Sequence, residues 1–224
     1  CMTTRNNREL LVFGFLNDKH INILIPADLI QFCLSWYIGN NDKWDFKLTN
    51  STLKISDDQI TVTQKSRFSW RTAFGKDNIG IGDKKRWVLK LERNKSNHSK
   101  SLISCTRIGI IPSCIVYKFY HKINHTGSFD INVIGSYALS GGDGSFWFWK
   151  NNRKRKNVKY GKSIKYDDII TVELDMTQVS NCILSYSVND EDFGIAPNCT
   201  IDPQQKYKLC ASFKGFESLT LLQY

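Results

Sequence analysis

Alternation of apolar and polar residues in the last third of the chain constrains the fold more than any other feature. The runs 168–175 and 184–190 place apolar residues at every second position. A period of two is typical of a strand with one buried face. Two further runs of strand-forming residues, 207–213 and 218–222, follow with no helical interval. Four strands in about sixty residues without a helix between them predict an antiparallel all-β domain.

A hairpin turn is predicted at the end of the second of these runs. Asn189 and Asp190 stand directly after the strand that ends at Val188. A two-residue hairpin turn usually requires positive φ angles, which Asn and Asp adopt at a cost that Gly avoids. The Asn-Asp pair therefore predicts a turn.

These motifs resemble the C-terminal half of the SPRY (B30.2) domain. The resemblance rests on four motifs in the family's order. The first two are a Tyr-Gly pair at Tyr160-Gly161 and an apolar strand led by an acid, from Asp168 to Asp175. The other two are a strand that ends on Asn, at Val188-Asn189, and a Gly-x-Ala motif at Gly194-Ile195-Ala196. Asp167 and Asp190 replace the usual glycines of the pattern. In the first half of the domain, Trp87–Glu92 and Arg107–Ile111 stand in for a Trp-led strand and a Gly-centred apolar strand. The resemblance covers Trp44 to Gln223 and implies a bent antiparallel β-sandwich of the SPRY (concanavalin-like) type.

The N-terminal part of the chain predicts a helical extension. Pro26 suits the first turn of a helix over Ala27–Ile38, and Gly39 suits its C-terminal end. The apolar residues of this helix repeat at helical spacing and form one broad face. The prefix resembles those of protist SPRY-containing proteins, and the helix is faintly similar to the first helix of an F-box. We therefore expect an extension over residues 1–42 and a SPRY-like domain over residues 43–224.

Several elements between these regions are also predictable. A hairpin is expected around residues 56–58, a strand at Trp70–Phe74 and another at 115–120. In the aromatic run 146–149, strand geometry places the two phenylalanines on one face and the two tryptophans on the other. The basic segment Lys150–Lys159 is predicted to be an exposed loop.

Composition limits the classes of function. The 224 residues carry a net charge of +10, which suits either acidic partners or simply a solvated basic surface. The seven cysteines are scattered, without a Cys-x-x-Cys pair, so we expect a reducing compartment, the cytoplasm or the nucleus. No apolar run is long enough to span a membrane.

We find no motif for catalysis, a metal or a cofactor. His121 and His125 have a spacing that binds metal on a helix, but they lie among strand and loop residues. Asp167-Asp168 and Asp190–Asp192 are acidic clusters at predicted strand ends and turns. The SPRY pattern accounts for Asp168, and turn chemistry accounts for the other acids.

The SPRY resemblance implies a non-catalytic domain that binds a peptide or loop of a protein partner on a preformed surface. We expect the chain to be a monomer. The implied partner-binding residues are Trp70, Arg71, Tyr137, Leu139, Phe213 and Lys214. Arg71 would pair with an acidic or carbonyl group, and Tyr137 with Leu139 would form an apolar wall. Such a domain could be the recognition part of a larger adaptor or ubiquitin ligase. The alternatives are glycan binding, by tryptophan stacking, and nucleic-acid binding by the tryptophans with the basic segment.

Overall fold

The computed structural model describes residues 42–49, 51–64, 70–93, 106–117, 135–150, 154–214 and 217–223. All of them belong to one compact unit, Asn40–Tyr224. Three predictions lie outside the described residues. They are the helix Ala27–Ile38, the extension 1–42 apart from its last residue, and the His121–His125 pair.

The described residues form thirteen strands, as the alternating pattern predicts for an all-β domain. In chain order they are β1 (Leu53–Ile55), β2 (Thr61–Gln64), β3 (Arg71–Phe74), β4 (Lys84–Arg93), β5 (Arg107–Pro112), β6 (Tyr137–Ser140), β7 (Ser145–Lys150), β8 (Lys154–Lys159), β9 (Ile169–Asp175), β10 (Ile183–Val188), β11 (Glu191–Ile195), β12 (Tyr207–Phe213) and β13 (Glu217–Leu221). The predicted hairpin around residues 56–58 is confirmed as the β1–β2 pair.

The strands assemble into two antiparallel sheets. One has seven strands in the order β1-β2-β13-β4-β9-β10-β11, and the other has six in the order β3-β12-β5-β6-β7-β8. Every described strand pair is antiparallel. The expected antiparallel β-sandwich is therefore confirmed.

One hydrophobic core fills the space between the sheets. The alternating residues of β9 and β10 point into it and are fully or almost fully buried, namely Ile170, Val172, Leu174, Leu184, Tyr186 and Val188. Trp87 of β4 lies in the same core, with 2% of its surface exposed. Burial of one large apolar side chain contributes about 1.5–3 kcal/mol, so this inner layer dominates the stability of the domain.

The turn between β10 and β11 has the predicted backbone. Asn189 and Asp190 have φ angles of 51° and 62°. The Asn189 side chain fixes the turn, because its Oδ1 accepts a hydrogen bond from Ile169 N at 2.9 Å and its Nδ2 donates one to Asp168 Oδ1 at 2.7 Å. The Asp168 carboxylate therefore connects this turn to the residue before β9.

The strand predicted at 115–120 is wrong over its described part. Residues 113–117 form a short helix instead. Pro112 lacks an N–H group and ends β5, and Ser113 N donates to Lys206 O at 2.7 Å. The turn buries Val116 in a second apolar cluster, and this packing overrides the β-propensity of the segment.

The prediction of an exposed basic loop at Lys150–Lys159 is also wrong for the described part of this segment. Lys150 ends β7, and Lys154–Lys159 forms β8, which pairs with β7 from Ser145↔Lys159 to Lys150↔Lys154. β8 is the outermost of the described strands in its sheet, and positive charge on an outer strand is a common protection against pairing with other chains. Its partly buried Val158 packs against the core, which a purely compositional argument does not reveal.

The outer face of the six-stranded sheet carries the second apolar cluster. Its buried members include Phe74, Ile111, Ala138, Trp149 and Leu48, and the half-buried Trp147 packs against them. Phe146 and Phe148 lie instead in the inner core, so the predicted division of the aromatic run is confirmed. In the described part of the chain, no helix is long and apolar enough to cross a membrane.

Candidate partner-binding surface

Three of the six predicted binding residues meet at one end of the six-stranded sheet. Trp70 and Arg71 stand at the start of β3, and Lys214 directly follows β12. These strand ends are neighbours, because Arg71 is the Cα partner of Phe213. Lys214 is exposed, and Trp70 and Arg71 are half-buried, so all three side chains reach the surface.

The other three predicted residues lie elsewhere. Leu139 and Phe213 are fully buried in the inner core and offer no surface to a partner. Tyr137 is 7% exposed and lies at the opposite end of β6, where it pairs with Ile110 and Phe148. The structure therefore does not join Tyr137 and Leu139 with Trp70 and Arg71 in one surface.

Arg107 is the residue that sequence reasoning missed at this end of the sheet. Its guanidinium carbon lies 4.6 Å from the centre of the Trp70 ring and 4.8 Å from that of Trp147. A third ring, that of Trp149, is 5.9 Å away. An arginine over the face of a tryptophan gains about 0.5–2 kcal/mol per favourable pair. Arg107 therefore holds two half-buried tryptophans in fixed positions.

Strand register explains why Arg107 can occupy this place. Arg107 begins β5, with Ile108 and Ile110 facing the core and Arg107 facing outward. Its Cα partners on the two neighbouring strands are Ser140 and Ser212. Small side chains on both sides leave space for the guanidinium and the indole rings. Alternation alone predicts the outward face of Arg107, but the register that brings it to Trp147 cannot be read from the sequence.

A short hydrogen-bonded chain orients Trp147. Its Nε1 donates to Ser145 Oγ at 2.7 Å, and Ser145 Oγ donates to Asp143 Oδ1 at 2.7 Å. Burial acts to raise the pKa of Asp143, but hydrogen bonds from Ser145 and Ser140 outweigh it and lower the pKa. Asp143 therefore stays ionised at neutral pH and anchors the chain.

Arg71 connects this end of the six-stranded sheet to the residues before β1. Its Nε donates to Thr52 Oγ1 at 2.7 Å, and one terminal nitrogen donates to Trp70 O at 3.2 Å. Partial burial lowers the pKa of Arg71 from its ordinary value, although an arginine remains charged at neutral pH. The contacts restrain the side chain at the rim.

We name these five residues, Trp70, Arg71, Arg107, Trp147 and Lys214, the Trp70 surface. It combines two half-buried aromatic side chains and the cationic Arg71 and Lys214 with Arg107, which is buried at 9% exposure and holds the two rings. Aromatic residues and arginine are common in binding hot spots. Cationic donors beside flat apolar rings suit a segment that presents carboxylate or carbonyl oxygens next to an apolar side chain.

The described residues show no arrangement for metal chemistry. Within the described ranges, no group of three or more His, Cys, Asp or Glu residues is placed to hold a metal ion. Asp168 and Asp192 instead accept hydrogen bonds from backbone N–H groups of nearby turns, Asp168 from Lys165 and Asp192 from Gly194. These acids serve local structure, as the turn interpretation predicts.

The two alternative ligand classes lose part of their basis. Glycan stacking needs an open tryptophan face, and Arg107 occupies one of the two faces of Trp70 and of Trp147. Nucleic-acid binding relies on an exposed basic loop, and the described part of that segment is a paired strand.

Comparison with known proteins identifies the fold. No family model matches the chain, and no curated protein matches it. Among solved structures, the chain is similar to a human SPRY domain, with 12% identity and a TM-score of 0.54 over 76% of this chain and 94% of that one. It is also similar to the TRIM65 PSpry domain, with 14% identity and a TM-score of 0.57 over 91% of this chain and 99% of that one. The chain therefore has the fold of a SPRY domain.

Proposed function

We propose that this chain is a non-catalytic protein-interaction domain that binds a peptide or a loop of a partner protein on the Trp70 surface. The observation that carries the proposal is the position of Arg107 between Trp70 and Trp147, at the end of the sheet where Arg71 and Lys214 also lie. The SPRY fold is consistent with this use.

Rigidity supports the proposed role. The rings of Trp70 and Trp147 are held by Arg107, and Trp147 is further fixed through Ser145 and Asp143. A surface that is ordered before binding loses little side-chain entropy, which costs about 0.5–1.5 kcal/mol for each side chain that must be immobilised. Affinity can therefore come from a few contacts.

Charge defines the partner that we propose. Arg71 and Lys214 reach the surface with cationic groups, the buried Arg107 adds a third positive charge, and the whole chain carries a net charge of +10. Opposite charge accelerates association and favours correct partners over others. We therefore propose a partner segment with one or more Asp or Glu residues beside an apolar side chain.

The proposed site shares three residues with the set implied by the sequence resemblance and differs in the others. Trp70, Arg71 and Lys214 stay in it as contact residues, Trp147 is added as a contact, and the buried Arg107 is added as the residue that holds the two rings. Tyr137 is left out, because it lies at the other end of β6. Leu139 and Phe213 are fully buried in the inner core and are left out of it.

The cellular setting is part of the proposal. An intracellular location, a monomeric state and a role as the recognition part of a larger adaptor or ubiquitin ligase would suit such a domain. The thiols of Cys114, Cys182 and Cys199 support a reducing compartment, because none of the three is in a disulfide bond.

A peptide selection tests the proposed binding surface and needs no purified partner. A phage-displayed library of random 12-residue peptides is selected on the immobilised chain, and the enriched peptides are sequenced. We expect acidic residues next to Leu, Phe or Tyr. Hydrogen exchange with a selected peptide should protect residues 70–74, 106–108 and 145–149. Enrichment of basic peptides, or protection confined to other parts of the chain, would contradict the proposal.

A further inference from the structure

The β10–β11 turn of this chain has the same chemistry as the partner segment proposed for the Trp70 surface. Asp190, Glu191 and Asp192 form the one run of three consecutive acids in the sequence, and all three residues are exposed. Ile195, three residues further along β11, is 65% exposed, the largest exposed fraction among the large apolar residues of the described ranges. The turn therefore offers carboxylates next to an accessible apolar side chain.

The turn is held in shape before it contacts any other molecule. The Asn189 side chain connects it to the residues at the start of β9. Glu191 pairs with Lys162, and Asp192 Oδ1 accepts a hydrogen bond from a backbone N–H of β11 at 2.8 Å. These bonds engage two of the three acids, so Asp190 in the turn itself is the carboxylate best placed to meet a cation of another molecule. A preformed loop loses little conformational entropy when it binds.

The turn cannot reach the Trp70 surface of its own chain. β10 and β11 belong to the seven-stranded sheet, whereas the Trp70 surface lies on the outward face of the six-stranded sheet. The hydrophobic core fills the space between the two sheets, and sheets packed face to face lie about 10 Å apart. The outward face of one sheet points away from the other sheet. A contact between the turn and the surface therefore requires two copies of the chain.

We propose that the β10–β11 turn of one copy binds to the Trp70 surface of a second copy. Asp190 would pair with Arg71 or Lys214, and Ile195 would pack against the exposed parts of the two indole rings. This inference rests on the proposed function of the Trp70 surface and names a second copy of the chain as one of its ligands. Charge complementarity favours the contact, because the acidic run lies on a chain whose net charge is +10.

The contact joins two different patches and is therefore heterologous, so that each added copy still presents one turn or one surface for further association. A few residues on each side bury far less than the standard interface of about 1,600 Å². We therefore expect weak association and a monomer in dilute solution. A partner segment that binds the Trp70 surface competes with the turn, so self-association would occupy the surface at high local concentration until a tighter partner displaces it.

Sedimentation velocity of the whole chain tests the contact. We expect the weight-average sedimentation coefficient to rise with concentration in the submillimolar range. The turn variant Asp190→Asn/Ile195→Ser removes the charge and the apolar group, and asparagine still tolerates the positive φ of the turn. This variant should weaken association at least fivefold. The matched variant Asp57→Asn/Val179→Ser, at an exposed acid and an exposed apolar residue elsewhere, should leave it unchanged.

A mixing experiment identifies the two patches. The turn variant keeps the Trp70 surface, and the surface variants Trp70→Ala and Lys214→Ala each keep the turn. Alone, every one of these variants should associate more weakly than the unaltered chain. An equimolar mixture of the turn variant with either surface variant that folds should contain no complex larger than 1:1. With Lys214→Ala, whose tryptophans remain, the turn of the unaltered chain should still bind measurably. An unaltered chain that stays monomeric at submillimolar concentration, or a turn variant that associates like the unaltered chain, would overturn the proposal.

An acidic peptide selected on the chain separates this inference from the proposed function. The turn variant should bind that peptide as tightly as the dilute unaltered chain does, because its Trp70 surface is intact. If the peptide binds the Trp70 surface and the chain does not self-associate, self-association is wrong and the proposed function stands. If the peptide does not bind the Trp70 surface, the proposed function is wrong, and this inference fails with it.

Discussion

The guanidinium carbon of Arg107 lies 4.6 Å from the centre of the Trp70 ring, although 37 positions of the chain separate the two residues. Trp147 covers Arg107 at a similar distance of 4.8 Å. The three side chains come from β5, from β7 and from the residue directly before β3. Their contact joins three separate parts of the sheet into one rigid surface.

Arg107→Lys is expected to loosen this surface. A lysine keeps the charge but lacks the planar group that stacks between two indoles. We expect the free energy of unfolding to fall by about 1 kcal/mol, within the range of cation–π contacts. Urea denaturation measures the change. An equally stable variant with unchanged tryptophan fluorescence would show that stacking does not hold the rings.

Trp87→Ala tests the core between the sheets. Trp87 is 2% exposed, and removal of a core aromatic typically costs about 3–5 kcal/mol because a cavity remains. Chemical denaturation should show a loss of this size. A melting temperature within about a degree of that of the unaltered chain would place Trp87 outside the core.

The β10–β11 turn offers a stabilising substitution. Asp190 has a φ of 62°, a conformation that glycine adopts without the steric cost that a side chain incurs. Relief of the left-handed strain, about 1–2 kcal/mol, is partly offset by the extra freedom that glycine gives the unfolded chain, so we expect Asp190→Gly to raise the free energy of unfolding by about 0.5 kcal/mol. The matched variant Asp190→Ala should lower it, because alanine cannot use a polar side chain to tolerate positive φ. Stabilisation by alanine and not by glycine would contradict the assigned turn.

Buried tyrosines predict a loss of stability at high pH. Burial raises the pKa of Tyr160 and of Tyr207 to about 12. Between pH 10 and 12 the unfolded chain loses these protons first and therefore binds fewer of them, so stability falls as pH rises. The slope is at most about 1.4 kcal/mol per pH unit for each tyrosine, and solvent access reduces it.

Urea denaturation at pH 8 and pH 11 measures this loss. Tyr160→Phe should lower stability by about 1 kcal/mol at pH 8, since the hydroxyl donates to Gly194 O and accepts from Tyr186 N. The same variant should show a shallower decline with pH. Ionisation of the tyrosines is followed by tyrosinate absorbance in the folded chain. If Tyr160 or Tyr207 contributes to the absorbance that appears near pH 10, the raised pKa values are refuted.

Local patterns predict the sandwich well because they depend on burial of alternate residues. Ile170, Val172 and Leu174 follow the period of two, and all three are fully buried. The same rule separates Phe146 from Trp147. Where tertiary packing decides, local patterns fail, as the helix at 113–117 shows: its β-branched residues are held there by burial of Val116.

The candidate site is only partly predictable for the same reason. Trp70, Arg71 and Lys214 can be placed from the resemblance, but Leu139 and Phe213 are apolar residues whose burial depends on strand register. Arg107 and Trp147 meet because β5, β6 and β7 are neighbours with one particular alignment. No short-range pattern encodes that alignment.

Calorimetric titration of a selected peptide into the chain and its variants tests the central claim most directly. Trp70→Ala should weaken binding at least thirtyfold, because truncation of a central tryptophan typically costs about 2 kcal/mol or more. Lys206→Ala is the matched control for Lys214→Ala, since these exposed lysines flank opposite ends of β12. The account predicts that Lys214→Ala weakens binding severalfold and Lys206→Ala leaves it unchanged. Full affinity in folded Trp70→Ala and Lys214→Ala, or a loss in Lys206→Ala alone, would contradict the assignment of the Trp70 surface.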